Sequence, residues 1–73
     1  MTGKELLQLR KMLNGRNGKM TQAEMAYELG YTKESVCHWE RQLDKEIPIS
    51  AEKLAVLLGQ QRGVLDDKGV PVR

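Results

Sequence analysis

Five side chains between Lys33 and Arg41 could hydrogen-bond to another molecule from one face of a helix. They are Lys33, Glu34, Cys37, His38 and Arg41, and they recur at spacings of three and four residues. Residues at that spacing share a helix face. Lysine can donate to guanine O6 and N7, glutamate can accept from cytosine N4, and histidine can do either. This face therefore has the chemistry needed to contact base edges in the major groove of DNA.

Two helices joined by a tight turn would hold this face outward. Thr21 and Glu24 have the Thr-x-x-Glu spacing of a capping box, which begins a helix. Gly30 suits the left-handed conformation that ends a helix, and Thr32 is an N-cap for the next one. The small Ala26 allows the two helices to cross closely. The pattern predicts a helix-turn-helix, in which the second helix meets the base edges.

The rest of the chain predicts two further helices, which gives an all-α fold class. A capping box from Thr2 to Glu5 begins the first helix, and a loop at residues 14–19 follows it. The third helix should span residues 32–42, and Ser50 should cap a fourth. The expected core consists of apolar residues at helical spacing: Leu6, Leu9, Leu13, Met20, Met25, Ala26, Leu29, Val36, Trp39, Leu43, Leu54, Leu57 and Leu58.

Composition limits the remaining possibilities. A chain of 73 residues has room for one domain, expected at residues 1–62 and followed by a loose tail at residues 63–73 in which Val64 and Leu65 could dock. One cysteine and one histidine provide neither an intramolecular disulfide nor the four ligands of a structural zinc site. The net charge of +2 does not by itself identify a nucleic-acid partner. We expect no metal and no cofactor.

Catalysis and membrane insertion are also not expected from the sequence. No serine or cysteine nucleophile has a second candidate base around it, and there is no glycine-rich phosphate loop, so we expect no enzyme activity. No apolar run approaches the roughly 20 residues that cross a membrane, and the charged start does not resemble a signal peptide. We therefore expect a cytoplasmic protein that contacts no membrane and associates with the nucleoid through DNA.

The central residues resemble a known family of DNA-binding domains. The segments Thr21-Gln22-Ala23-Glu24-Met25-Ala26, Leu29-Gly30, Ser35-Val36 and Trp39-Glu40-Arg41 are similar to the pattern TQ-x-x-LA-x-x-LG-x-x-x-x-(S/T)-(V/I)-x-x-WE of Cro/C1-type (XRE) helix-turn-helix domains. The resemblance covers residues 4–58. It implies a lambda repressor-like bundle of four or five helices that binds a palindromic double-stranded operator as a homodimer. Together with the helix faces, it predicts DNA contacts at Thr21, Gln22, Thr32, Lys33, Glu34, Ser35, Cys37, His38 and Arg41.

Arg10 is the one charged residue on the apolar face of the first helix. Glu40 resembles the family glutamate that pairs with an arginine of that helix, so we predict a partly buried Arg10–Glu40 ion pair. The loop at residues 14–19 is longer than the usual family connection. We interpret its Arg16 and Lys19 as solvated charges, with phosphate contact as the alternative.

The expected function is a small bacterial or phage repressor that regulates transcription. The alternative is a protein-binding module, such as an antitoxin or an anti-regulator, whose tail holds a partner protein. Ile47, Ile49, the outer side of the fourth helix and the pair Val64-Leu65 are candidates for a two-fold interface. The same residues could instead belong to the intramolecular core.

Overall fold

The computed structural model describes residues 1–72 as four helices and one small β-hairpin. The helices are α1 (Gly3–Met12), α2 (Gln22–Leu29), α3 (Lys33–Arg41) and α4 (Ile49–Gln61), and the strands are β1 (Asn14–Gly15) and β2 (Gly18–Lys19). The strands are antiparallel, with Asn14 opposite Lys19 and Gly15 opposite Gly18. The prediction of a small, mostly helical domain is confirmed, and the hairpin replaces the loop expected between the first two helices.

The starts of α1 and α2 are the two capping boxes that the sequence predicts. The hydroxyls of Thr2 and Thr21 accept hydrogen bonds from the backbone of Glu5 and Glu24. The two glutamates accept in return from the threonine N–H groups, at 2.8 Å and 2.9 Å. Each box satisfies two N–H groups that the helix itself leaves without a partner. Both predicted boxes are confirmed.

A three-residue turn joins α2 to α3. Gly30 has a φ of +73°, and this left-handed conformation ends α2. The Tyr31 N–H donates to the Ala26 carbonyl at 2.9 Å, which closes the turn. The Tyr31 ring meets Trp39 edge to face, with a centroid distance of 4.9 Å. Thr32 then caps α3 as predicted, so both sides of the turn are held by local contacts.

The core lies between the four helices and is almost entirely aliphatic. The buried apolar residues are Leu6, Leu9, Leu13, Met20, Met25, Ala26, Leu29, Val36, Ile47, Ala51, Ala55, Leu58 and Leu65. Nine of these, with Leu58 of α4 among them, were expected in the core from the sequence. Trp39 is only partly buried, at the edge of this cluster. Ile47 belongs to the core, which removes it from the candidates for an interface.

The fourth helix differs from the prediction in its start and in its buried face. It begins at Ile49 after Pro48, and Ser50 does not cap it: the Ser50 hydroxyl hydrogen-bonds to Tyr31 at 2.7 Å. Leu54 and Leu57 are 43% and 48% exposed, so the expectation that they complete the core is wrong. The small residues Ala51 and Ala55 face inward with Leu58 instead, which lets α4 pack close to its neighbours. Leu43, expected in the core, is also exposed because α3 ends at Arg41.

The segment after α4 is folded, not loose as expected. Leu65 is buried, as the sequence suggested, and its side chain lies against Gly59. Asp66 accepts hydrogen bonds from the backbone of Lys68 and Val70, both at 2.9 Å, which forms a tight turn. Arg73, the last residue of the expected tail, lies outside the described residues. None of the helices within residues 1–72 is long and apolar enough to span a membrane.

Candidate functional site

The outer face of α3 brings five of the predicted site residues together. Lys33, Glu34, His38 and Arg41 are exposed, and Cys37 is partly exposed between them. The five side chains line one shallow depression of about 350 Å³. The face presents cations at both ends and a single carboxylate near the start of the helix. It can donate and accept hydrogen bonds along a surface about two helical turns long.

The inner face of α3 fixes the direction of that outer face. Val36 is fully buried, Glu40 is buried, and Trp39 packs against the core from the edge. A helix that buries one stripe in this way cannot rotate about its axis without exposing apolar side chains. The side chains of Lys33 and His38 are therefore held outward by the packing on the opposite side.

The predicted ion pair between α1 and α3 is confirmed. Arg10 Nε donates to Glu40 Oε2 at 2.7 Å, and Arg10 Nη2 donates to Glu40 Oε1 at 2.9 Å. The remaining donor, Nη1, reaches the Met20 carbonyl at 3.0 Å. Paired hydrogen bonds of this kind fix orientation as well as distance. One guanidinium therefore links α1, α3 and the chain just before α2.

Gln22, at the first position of α2, joins the same network. Its Nε2 donates to Glu40 Oε1 at 3.0 Å, so the start of α2 is tied to α3. The sequence predicts a DNA contact at Gln22, and the hydrogen bond that the structure shows for its side chain goes to Glu40 within the domain. A side-chain amide nitrogen carries a second N–H, which is available for another acceptor. Thr21, the preceding residue, is exposed and caps the helix.

Thr32 and Ser35 serve the start of α3. The Thr32 hydroxyl accepts from the Ser35 N–H at 3.2 Å, and the two hydroxyls are 3.1 Å apart. Thr32 is exposed and Ser35 is partly buried. The structure thus places both predicted residues at the edge of the outer face, where their hydroxyls are engaged with each other.

The β-hairpin is attached to α2 by a contact that sequence reasoning missed. Glu24 Oε1 accepts from the Thr21 N–H at 2.9 Å, and its Oε2 accepts from the Arg16 N–H at 2.7 Å. The hydrogen bond from Thr21, followed by that from Arg16, holds the pKa of the Glu24 carboxyl below its ordinary value. The capping box explained only the first of these bonds. The Asn-Gly pairs at residues 14–15 and 17–18 could have indicated the hairpin in the sequence, because such pairs favour hairpin turns.

Within residues 1–72, no group of three or more His, Cys, Asp or Glu side chains is arranged to hold a metal ion. Comparison of the chain with protein-family models, curated proteins and solved structures gave no match. The site is thus defined by its own geometry: an exposed polar face on α3, anchored from behind through Glu40.

Proposed function

We propose that this chain is a sequence-specific DNA-binding regulator in which α2, the turn and α3 form a helix-turn-helix. The observation that carries the proposal is the division of α3 into two faces. One face is anchored through Val36 and Glu40, and the other offers hydrogen-bonding side chains from Lys33 to Arg41. A helix that must enter a groove needs both a fixed orientation and an outer face with this chemistry.

The major groove of B-DNA admits an α-helix, and the first residues of the second helix are those that meet base edges in this motif. In α3 these are Lys33 and Glu34, with Cys37 and His38 one turn later. Lys33 donates to guanine, Glu34 accepts from the amine of cytosine, and His38 does either. Arg41, near the end of α3, is placed for a phosphate contact.

The helix starts supply the contacts that do not depend on sequence. Thr21 and Gln22 lie at the N-terminus of α2, and Thr32 lies at that of α3. Backbone N–H groups and the helix dipole favour phosphate at such positions. Contacts of this type set the register of a protein on the duplex, while base contacts specify the sequence.

A homodimer is part of the proposal. Ile49 is 72% exposed on α4, and Leu54 and Leu57 are also exposed on that helix. A second copy of the chain would cover these apolar side chains through a two-fold interface. Such a dimer would place two copies of α3 on two half-sites of a palindromic operator. The pattern resembles Cro/C1-type (XRE) repressors of bacteria and phages, and the proposed site of action is the cytoplasmic nucleoid.

The alternative function, a module whose tail folds on a partner protein, has less support. It expects the tail after Gly59 to fold on its partner and expects changes in α3 to leave partner binding intact. Residues 63–72 instead pack against α4 through Leu65 and close on themselves around Asp66. The proposal includes no catalytic activity, metal or cofactor.

Selection of bound duplexes from a random DNA library at physiological salt tests the proposal. A palindromic motif with half-sites about one helical turn apart is the expected result. The matched control is the double variant Lys33→Ala with His38→Ala, which leaves the anchored face of α3 intact and should lose the motif. Binding without any enriched motif in the unmodified chain would overturn the proposal, and a pull-down for protein partners would follow.

A further inference from the structure

The β-hairpin between α1 and α2 is a basic element with no acidic residue of its own. Residues 14–20 contain two cations, Arg16 and Lys19, and no Asp or Glu. Both cations are exposed, and within residues 1–72 neither side chain lies within 4 Å of a carboxylate. Solvated charges on a mobile loop would be unremarkable, so the next question is whether the hairpin is held in place.

Three hydrogen bonds fix the hairpin to the rest of the domain. The Arg16 N–H donates to Glu24 of α2 at 2.7 Å. The Met20 N–H donates to the Leu13 carbonyl at 3.0 Å, and the Met20 carbonyl accepts from Arg10 at 3.0 Å. The hairpin is therefore attached at its tip and at both ends. Groups that are already ordered lose less conformational freedom when they bind.

The same contacts relate the hairpin to the proposed DNA-binding surface. Lys19 precedes Thr21, the N-cap of α2, by two residues. The guanidinium that holds the Met20 carbonyl also holds Glu40 on the inner face of α3. The hairpin and α3 consequently share one anchor, and Lys19 lies two residues before the helix start that the proposal places against phosphate.

The acidic groups around the hairpin are already engaged. Glu24 accepts from two backbone N–H groups, of Thr21 and Arg16. Glu28 forms a salt bridge of 3.7 Å with Arg62, and Arg62 also reaches the Asn14 carbonyl at 3.5 Å. The charged side chains of the hairpin itself, Arg16 and Lys19, are both cationic, which complements a phosphate backbone.

We infer that the hairpin is a phosphate clamp. Arg16 and Lys19 contact the DNA backbone beside the base pairs that α3 reads, and so lengthen the footprint of the protein on each half-site. This inference rests on the proposed DNA-binding function. Cation–phosphate contacts do not depend on base identity, so the clamp strengthens binding to all sequences and leaves the selected motif unchanged.

The test is the double variant Arg16→Gln with Lys19→Gln, measured on the selected operator and on unrelated DNA over a range of salt concentrations. Each phosphate contact contributes about 0.9 to the slope of log K against log salt on B-DNA. The proposed dimer carries two clamps, so the variant removes four cations from each complex. The expected result is a fall in that slope of roughly 2–4 and an affinity loss of at least about tenfold at physiological salt, equal on both DNAs. The motif selected by the variant should be that of the unmodified chain.

Two matched variants control the measurement. Lys4→Gln with Lys11→Gln removes the same charge from the exposed side of α1, which the proposal places neither on DNA nor in the dimer interface, and should change the slope much less. Arg16→Lys with Lys19→Arg retains both charges and should retain the slope, which separates loss of charge from damage to the hairpin. Circular dichroism on heating checks that all variants fold alike.

The outcomes separate the two proposals. If the unmodified chain selects a palindromic motif but the hairpin variant keeps its affinity and slope, the clamp is wrong and the proposed function stands. Equal slope changes in the hairpin variant and in the Lys4 and Lys11 control would also overturn the clamp, because net charge would explain both. If the unmodified chain selects no motif, the proposed function fails and the clamp fails with it.

Discussion

Arg10 in α1 donates two hydrogen bonds to Glu40 in α3, from Nε at 2.7 Å and from Nη2 at 2.9 Å. The Glu40 side chain is only 5% exposed, and Gln22 of α2 donates to the same carboxylate. Three helices therefore meet at one buried charge. The rotation of α3, and with it the direction of Lys33 and His38, depends on a network that lies on the side of the helix away from the proposed DNA.

Removing both members of this pair should destabilise the fold less than the sum of the two single removals. Arg10→Met leaves a buried carboxylate without its cation, and Glu40→Leu leaves a guanidinium without its anion; each should cost about 3–5 kcal/mol. The double variant should cost less than the sum, because neither charge is then left unpaired. Urea unfolding followed by circular dichroism measures all four proteins. Additive losses would show that the pair does not couple α1 to α3.

A methyl group at Gly3 should separate α1 from the end of α3. An added Cβ would lie directly against the carbonyl oxygens of Trp39 and Gln42, which are backbone atoms that cannot rotate away. Gly3→Ala should therefore lower the free energy of unfolding by about 1–3 kcal/mol, as overpacking does. Gln8→Ala, on the exposed side of α1, is the matched control and should change it little. Equal stability of the two variants would contradict the close approach of α1 and α3.

The contribution of Glu24 to stability should depend on pH. Folding lowers the pKa of this carboxyl, so the ionised form stabilises the fold above the ordinary pKa of about 4.3. The contribution is lost as the pH falls through the lower pKa of the folded state. Glu24→Gln should therefore be less stable than the unmodified chain at neutral pH, and the difference should shrink below about pH 4.

Urea unfolding between pH 3 and pH 7 gives this difference directly. Asp67→Asn removes an exposed carboxylate from the segment after α4 and controls for the loss of one negative charge. If the two variants show the same pH dependence relative to the unmodified chain, the hydrogen bonds from Thr21 and Arg16 do not act on the Glu24 carboxyl as described.

Lys33 and Gln22 should affect DNA binding in different ways. Lys33→Ala should cost about 1–3 kcal/mol at one base position and relax the preference there, because the lysine reads a base edge. Gln22→Ala should weaken binding to all operator variants alike. The Gln22 side chain positions α2 against α3 and against the DNA backbone, and neither contact depends on base identity. Titration of each protein against single-base variants of the selected operator makes the comparison. Equal losses from Lys33→Ala on every variant would refute its reading role.

The exposed face of α4 should govern self-association. Leu57→Lys replaces an apolar side chain that is 48% exposed, so it should leave the fold intact and weaken the dimer at least tenfold. Lys11→Glu, on the exposed side of α1, makes a charge change away from this apolar surface and is the control. Sedimentation at several protein concentrations measures both. If two copies of the unmodified chain occupy the two half-sites without associating with each other, α4 does not form a dimer interface.

Local sequence signals account for most of what was predicted correctly. A capping box depends on residues three positions apart, so Thr2 and Thr21 could be placed as helix starts without knowledge of the fold. Gly30 was predictable for the same reason. The Arg10–Glu40 pair spans thirty positions in the chain, and it became predictable because a charge on an apolar stripe needs a partner and the family resemblance indicated one.

What was missed depends on packing between distant segments. Strands of two residues show no alternation of apolar and polar side chains, so the hairpin gave no strand pattern to detect. Leucine side chains are usually buried, so Leu54 and Leu57 were expected in the core. The buried face of α4 instead consists of Ala51, Ala55 and Leu58, and the two leucines are exposed. The second hydrogen bond of Glu24 could not be inferred either, because its donor lies in the hairpin.

The edge-to-face contact between Tyr31 and Trp39 gives the domain an internal optical reporter. Trp39 is the single tryptophan of the chain, and its ring lies 4.9 Å from that of Tyr31, between the turn and the helix that follows it. Its fluorescence therefore comes from one place only. Any event that changes the packing of the turn will shift this emission, while events confined to the hairpin or to the segment after α4 will leave it unchanged.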